Sequence, residues 1–335
     1  MPNEEPLDRT KPLAGRREFL ASAAALGVAA LVGGRPAFAA GYPERDVSFI
    51  VPYPPGGAYD QYVRVLLQPL SQALPNHVTV VPNNVSGAGG ARAANVLYRS
   101  KPDGYTISVL NAIGLILLKL KGGTIGFDLN ELTWIGNLAR DEYALVVAPN
   151  SKFKTVADLQ RASRTSPIKF TAPGPGTASY AAILIGTHLL DIQSQLITGY
   201  RGASDCMVAV TRGDGDATIL TLPAVRQMTE GKFLRVLATF QKQSSIKGAE
   251  DATTLKVPEL AEIIEVRPVA APPHLDPEVT HILSDALIKA MKDPTVVDWA
   301  AKTGATLDPM TAEETTKVVR EQSSFMARWK ELLHA

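Results

Sequence analysis

Two glycine-rich loops are the parts of this sequence best suited to bind a ligand. The first loop, residues 51–60 (VPYPPGGAYD), follows an apolar stretch at 47–51 and leads into a segment with helical spacing. The second loop, residues 171–179 (TAPGPGTAS), repeats this arrangement in the second half of the chain. Glycine lets a backbone approach a ligand closely, and the free N–H groups of a helix start attract an anion. The pair therefore predicts a cleft for a carboxylate or phosphate, although tight strand-to-helix turns also use glycine for structural reasons alone.

The other side chains that could bind a ligand or react could instead have a purely structural role. Asp60 could contact a ligand, but it is also well placed to cap the helix that begins in the first loop. Cys206 is the only cysteine, so no internal disulfide is possible, and without an activating partner in the sequence we expect an inert thiol in a helix. The histidines lack the spacing of metal ligands, so no metal is expected; they are His77, His188, His274, His281 and His334.

Signatures of catalysis and cofactor binding are missing from the sequence. Neither loop contains the phosphate-binding pattern G-x-x-x-x-G-K-[ST], and Gly174 and Gly176 are followed by Ser179 where a dinucleotide loop needs glycine. No G-x-S-x-G nucleophile turn occurs, and spacing marks no pair of carboxylates as catalytic. We therefore predict a protein that is not an enzyme and that has no cofactor.

Composition narrows the class of partner. The chain has 335 residues, of which 45% are hydrophobic and 20% charged, so it can bury a core and is long enough for about two domains. Lys and Arg number 34 and Asp and Glu 33, which leaves no basic field to attract nucleic acid or an anionic membrane surface. The nearly zero net charge of the chain therefore favours a small molecule as its partner.

The N-terminus has the three parts of an export signal. Arg16 and Arg17 precede an apolar run at 19–32, and the small residues around Ala39 offer a cleavage site, in an order that resembles a twin-arginine signal. The run is shorter than the roughly 18 to 20 residues that cross a bilayer, which favours a cleaved signal. A retained membrane anchor is the alternative. Cleavage after Ala39 would release a mature protein that we expect to be periplasmic, since no later segment is apolar enough to span a membrane.

Short apolar runs alternate with amphipathic segments along the rest of the chain, which predicts a parallel α/β architecture. The clearest predictions are strands at 47–51, 78–81, 105–110, 132–138, 143–148, 169–171 and 217–220, a strand within 231–240, and helices at 59–73, 91–99, 156–162, 179–190, 203–211, 277–291 and 312–333.

Four motifs in one order carry a family resemblance. They are VSFIVPYPPGGAYD at 47–60, the segment from Asn83 to Asn111 that ends PDGYTISVLN, GYRGASDCMVAVTRGDGDATI at 199–219, and TEGKFLRVLATF at 229–240. Together they resemble the solute receptors of tripartite tricarboxylate transporters, the Bug or TctC type. The match runs nearly end to end of the mature chain.

The resemblance implies an α/β fold of the type II periplasmic-binding-protein class, a Venus flytrap with its ligand cleft between two domains. It implies a first domain of 40–141 plus 265–311, and a second of 142–264 plus the C-terminal segment 312–335, after the signal 1–39. Family members bind a carboxylate mainly through backbone groups, hydroxyls and water. Carried onto this chain by matching position, the ligand-binding residues are Tyr53, Gly56, Gly57, Ala58, Asp60, Asn111, Gly174, Gly176, Thr177, Ser179 and Tyr200.

The sequence also departs from the family pattern. Many relatives end a serine-rich turn in His where this chain has Tyr180, and the aromatic residue common before the last domain crossing is replaced around Arg267. Arg267 could pair with a second acidic group of a ligand, or it could lie in a surface salt bridge or in solvent.

Three functions remain open at this level. The expected one is a monomeric receptor that delivers a di- or tricarboxylate or an aromatic acid to the subunits of a membrane transporter. A sensor that presents the bound acid to a membrane histidine kinase would use the same capture chemistry. An exported enzyme acting on organic acids is the third, although it lacks catalytic signatures.

Overall fold

The computed structural model describes residues 41–123, 125–230 and 233–334. Residues 43–335 form one unit of the chain, which contains both glycine-rich loops. The predicted export signal, with Arg16, Arg17 and Ala39, lies outside the described residues.

A mixed sheet organises the described chain, in the order β2-β1-β3-β9-β4-β7-β5-β6, with β8 also paired to β4. Eleven described α-helices pack around it. The strands are β1 (Val47–Val51), β2 (Val80–Asn84), β3 (Thr106–Val109), β4 (Thr133–Val147), β5 (Ile168–Thr171), β6 (Ser194–Ile197), β7 (Ala217–Thr221), β8 (Arg235–Thr239) and β9 (Ile264–Ala271). The helices are α1 (Ala58–Ala73), α2 (Ala91–Tyr98), α3 (Ala112–Leu120), α4 (Val156–Ser163), α5 (Ala178–Leu189), α6 (Ala203–Arg212), α7 (Leu222–Glu230), α8 (Pro277–Met291), α9 (Pro294–Thr303), α10 (Ala312–Arg328) and α11 (Lys330–His334).

Strand β4 connects two halves of this sheet. Its first part, from Thr133 to Glu142, pairs antiparallel with β9, which in turn pairs with β3. Its last part, from Tyr143 to Val147, pairs with β7 and β8. The first sheet half therefore holds the parallel set β1, β2 and β3, and the second holds the parallel set β5, β6 and β7.

Local sequence explains the elements beside the first loop. In β1, all residues except Ser48 are buried, as expected for a parallel strand covered on both faces. In α1, Tyr59, Tyr62, Val63 and Leu66 are buried at helical spacing, so one face of the helix packs on the sheet.

The structure corrects the sequence predictions in two places. The predicted strands 132–138 and 143–148 are one strand, because pairing with β9 continues through Arg140, Asp141 and Glu142. The predicted helix 312–333 is broken after Arg328 into α10 and α11.

Helix α3 was missed because it lacks a polar face. Its sequence AIGLILLKL is apolar almost throughout, and the six residues from Ala112 to Leu117 are all buried. Such a segment shows no helical periodicity. No helix in the described part of the chain is both long and apolar enough to span a membrane.

Candidate ligand-binding site

In the first sheet half, helices α1 and α3 begin at the carboxyl ends of the parallel strands β1 and β3. The first loop joins β1 to α1, and Asn111 lies between β3 and α3. Because β1 and β3 are parallel neighbours, both connections leave the same edge of the sheet. This edge is where the sequence placed the first group of ligand-binding residues.

The first loop turns sharply at Gly56 and is held by its own helix. Gly56 has a φ of +84°, a conformation that favours glycine. Its N–H donates to Asp60 Oδ2 at 2.8 Å, and its carbonyl accepts from Gln61 Nε2 at 3.0 Å. The exposed residues Gly56, Gly57 and Ala58 therefore form a preshaped surface at which the first N–H groups of α1 emerge.

Asp60 lies beneath this loop. It is the third residue of α1, whereas Gly57 is the N-cap, and its side chain is buried. Besides the Gly56 N–H, its carboxylate accepts from Arg64 Nε at 2.7 Å and from Asn84 Nδ2 at 3.0 Å. Burial alone would raise the pKa of Asp60, but these hydrogen bonds outweigh it and lower the pKa to about 2. Asp60 is thus an ionised group that binds the loop to α1 and β2.

Tyr53 and Asn111 join the first loop to the start of α3. Asn111 donates through Nδ2 to the Tyr53 hydroxyl at 2.7 Å, and its Oδ1 accepts the N–H of Gly114 at 3.0 Å as a helix cap. The Tyr53 hydroxyl in turn donates to the carbonyl of Gly89 at 3.3 Å. Burial raises the pKa of Tyr53, so the hydroxyl stays protonated. These two residues, predicted as separate loop contacts, are direct partners.

The second loop is built more locally. Gly174 and Gly176 have φ values of +150° and +90°. Thr177 is the N-cap of α5: its hydroxyl accepts the N–H of Tyr180 at 3.2 Å and donates to the carbonyl of Gly174 at 2.9 Å. Ser179 lies in the first turn of α5 and is partly exposed.

Tyr200 belongs to the neighbouring connection, between β6 and α6, and is partly exposed. Since β5 and β6 are parallel, the second loop and Tyr200 leave the same edge of the second sheet half. Each half therefore presents a group of the predicted residues at the carboxyl ends of its parallel strands.

A buried ion cluster, which sequence reasoning did not assemble, lies where β4 and β9 pair beside α1. Asp141 on β4 is directly opposite Glu265 on β9, and Arg267 pairs with both carboxylates. Asp141 also accepts from the hydroxyl of Thr306. Burial alone would lower the pKa of Arg267, but Glu265 and Asp141 raise it above its usual value. Arg267 is therefore neither solvated nor in a surface salt bridge.

Tyrosines surround the acidic side of this cluster. The hydroxyls of Tyr59 and Tyr143 lie 3.4 Å and 3.3 Å from the two carboxylate oxygens of Glu265. Burial, and next the charge of Glu265, raise the pKa of both tyrosines well above the usual value. Burial also raises the pKa of Glu265, and Asp141 adds to the effect although Arg267 opposes it. Alternation along β9 places Glu265 and Arg267 on one face, which is the signal that could have linked them.

The remaining candidate groups have no reactive setting. Cys206 is buried in α6, and burial raises its pKa to about 11, so the thiolate needed for reactivity is scarce. Within residues 41–123, 125–230 and 233–334, no group of three or more His, Cys, Asp or Glu side chains could hold a metal ion.

A family model and two related sequences all match this chain over most of its length. The model of the family described as "Tripartite tricarboxylate transporter family receptor" matches residues 62–335. The protein from the gbd 5′ region of Cupriavidus necator is 31% identical over 86% of this chain and 88% of its own length. Protein BugT of Bordetella pertussis is 29% identical over 96% of each chain.

Solved structures share the fold. MatC from Rhodopseudomonas palustris with bound malate matches with a TM-score of 0.72 at 18% identity, covering 87% of this chain and 100% of that one. A second R. palustris protein, with adipate, matches with a TM-score of 0.69 at 21% identity, covering 87% and 97%. The predicted type II, two-domain periplasmic-binding-protein fold is confirmed.

Proposed function

The chain belongs to the tripartite tricarboxylate transporter receptor family, and we propose that it captures a small carboxylate between its two glycine-rich loops and delivers it to a membrane transporter. The family consists of periplasmic solute-binding receptors and not of enzymes. The resemblance found in the sequence motifs is thus confirmed, and the absence of catalytic signatures agrees with it.

One observation carries the proposal. Each sheet half ends its parallel strands in a glycine-rich connection to a helix start, and Gly56, Gly57 and Ala58 lie in the exposed part of the first loop. Helix N–H groups at such a surface favour an anion without any side-chain cation. In the first loop, the buried carboxylate of Asp60 pairs with the half-exposed guanidinium of Arg64, so the two charges neutralise each other and the backbone is left to bind the ligand.

The carboxylate class has additional support from fold relatives. MatC is described with malate and the second R. palustris protein with adipate, and both are dicarboxylates. For this chain we propose an acid of that size, with one carboxylate on the loop backbones. We place Tyr53, Gly56, Gly57, Ala58 and Asn111 on one side of the cleft and Gly174, Gly176, Thr177, Ser179 and Tyr200 on the other, with Asp60 as the support of the first loop.

The proposed domain boundaries place one group of ligand-binding residues in each domain. We propose a first domain of 40–141 plus 265–311 and a second of 142–264 plus 312–335, which is in keeping with the change of β4 from β9 to β7 near Tyr143. Closure of the two domains on β4 and β9 would trap the acid. We further propose export through the twin-arginine signal and a monomeric mature protein.

A thermal-shift screen of the mature protein against mono-, di- and tricarboxylates and aromatic acids tests the proposal. An acid at about a hundred times its Kd adds about 2.7 kcal/mol to the native state, which raises Tm by on the order of 5 to 10 °C for domains of about 150 to 250 residues. Gly57→Val should lose most of that shift because its side chain blocks backbone approach. Retention of the full shift by this variant would refute the site, and no shift with any acid would refute the ligand class.

A further inference from the structure

Arg267 lies directly under the start of α1. Its side chain is only 7% exposed, and its guanidinium carbon is 5.4 Å from the ring centroid of Tyr59 and 5.1 Å from that of Tyr62. Tyr59 and Tyr62 are three residues apart, so they share one face of the helix. The first turn of α1 therefore rests on the guanidinium through cation–π contacts.

The same cation is held from the strand side. Asp141 and Glu265 are opposite each other on β4 and β9, and both pair with Arg267. Glu265 Oε1 lies 3.5 Å from Arg267 Nη2 and 3.4 Å from the Tyr59 hydroxyl. One carboxylate oxygen thus connects the cation to the residue that follows the exposed part of the first loop.

We propose that Arg267 is a positioning residue of the ligand site: it holds Tyr59, and through Tyr59 the first loop, against β4 and β9, without touching the bound acid. The inference rests on the proposed function. With both carboxylates ionised the cluster carries two negative charges and one positive, so it does not attract a second anion. If Glu265 is protonated, the whole cluster is neutral, and a neutral cluster does not attract a second anion either.

Two matched tyrosine variants test the positioning without any ligand. Tyr59→Phe and Tyr143→Phe each remove one buried hydroxyl from Glu265, at 3.4 Å and 3.3 Å, but only Tyr59 adjoins the first loop. Hydrogen exchange of the ligand-free protein, followed by mass spectrometry on peptides covering 52–62, should be about fivefold faster in Tyr59→Phe and unchanged in Tyr143→Phe. Equal effects of the two variants would overturn the proposal.

A second arm separates positioning from direct contact. Malate and lactate differ by one carboxylate, and thermal shifts with each are compared between the wild type and Arg267→Lys, which retains the charge but not the forked geometry. We expect the variant to reduce the shift by the same factor for every probe that the wild type binds. Loss of the malate shift alone, in a comparison where the wild type binds both acids, would show direct contact and overturn the proposal. If the wild type binds only one of the two acids, the exchange arm decides the positioning role. If the wild type binds neither acid, the proposed function is in question, and the exchange arm still decides the positioning role.

Discussion

The two glycine-rich loops have similar sequences but different support. The first loop is held by residues from four places: Asp60 and Gln61 on α1, Asn84 on β2, Asn111 before α3 and the Gly89 carbonyl. For residues 173–179, the hydrogen bonds to other described residues stay within the loop and the start of α5.

This difference shows that a loop can be shaped either by its own sequence or by the fold around it. Residues 173–179 of the second loop need only two glycines with positive φ and the Thr177 cap. The first loop depends on a buried carboxylate and on contacts across more than fifty positions of sequence, as between Tyr53 and Asn111. Substitutions far from the first loop in sequence should therefore alter it, whereas residues 173–179 of the second loop should respond mainly to changes within them.

The largest expected effect is that of Asp60→Ala. The change leaves the Gly56 N–H without its acceptor and removes one of the two acceptors of the Asn84 amide, which keeps the Tyr53 carbonyl. We expect the free energy of unfolding to fall by about 1 to 3 kcal/mol. Urea denaturation at neutral pH measures it. The comparison between the loops would fail if Thr177→Ala destabilised the protein more than Asp60→Ala.

The same carboxylate should give the first loop a pH dependence. Its folded pKa is about 2, below the usual 3.8, so the folded state binds fewer protons than the unfolded state between these values. The stability that Asp60 contributes is present above about pH 4 and is lost as the pH falls towards 2. The difference in stability between the wild type and Asp60→Ala should shrink over that window. A constant difference from pH 7 to pH 3 would contradict the assignment.

Valine at the two glycines should separate backbone strain from ligand exclusion. Gly176 has a φ of +90°, where a side chain costs about 1 to 2 kcal/mol and a β-branched one is worse. Gly57 has a φ of −74°, and an added Cβ would lie 3.5 Å from the Pro54 carbonyl, an ordinary contact. In the absence of ligand, Gly176→Val should melt several degrees lower, and Gly57→Val should melt near the wild type. A large loss of Tm in Gly57→Val would refute this view of the first loop.

The smallest expected effect is that of Thr177→Ala. Loss of an N-cap hydroxyl costs about 1 kcal/mol. Because the contacts of Thr177 are local, hydrogen exchange should rise only in peptides spanning the second loop and the start of α5. Thr177→Ser, which keeps the hydroxyl, should behave like the wild type. Faster exchange in the first loop would show a coupling between the loops that these contacts do not include.

The sequence predicted those parts of the fold and of the site that depend on residues close together in the chain. Strand β1 has the predicted bounds, and α1 begins one residue earlier than predicted, so the loop between them ends at Gly57. The N-cap at Thr177 was not predicted, although it depends only on local hydrogen bonds. Four motifs in order were sufficient to identify the family, which the family match confirmed. Strand β9 was not predicted, and the predicted break in β4 was wrong, because their mutual pairing overrides local preference.

What the sequence by itself determined is the character of each loop: glycine at positive φ, a capping threonine, and helix starts that favour an anion. Only the tertiary structure decided which side chains remain free to meet a ligand. Arg267 could have served a second acid group, but pairing of β4 with β9 brings Asp141, 126 positions away in sequence, against it. Strand register sets such contacts, and register depends on the packing of the whole sheet rather than on the residues next to Arg267.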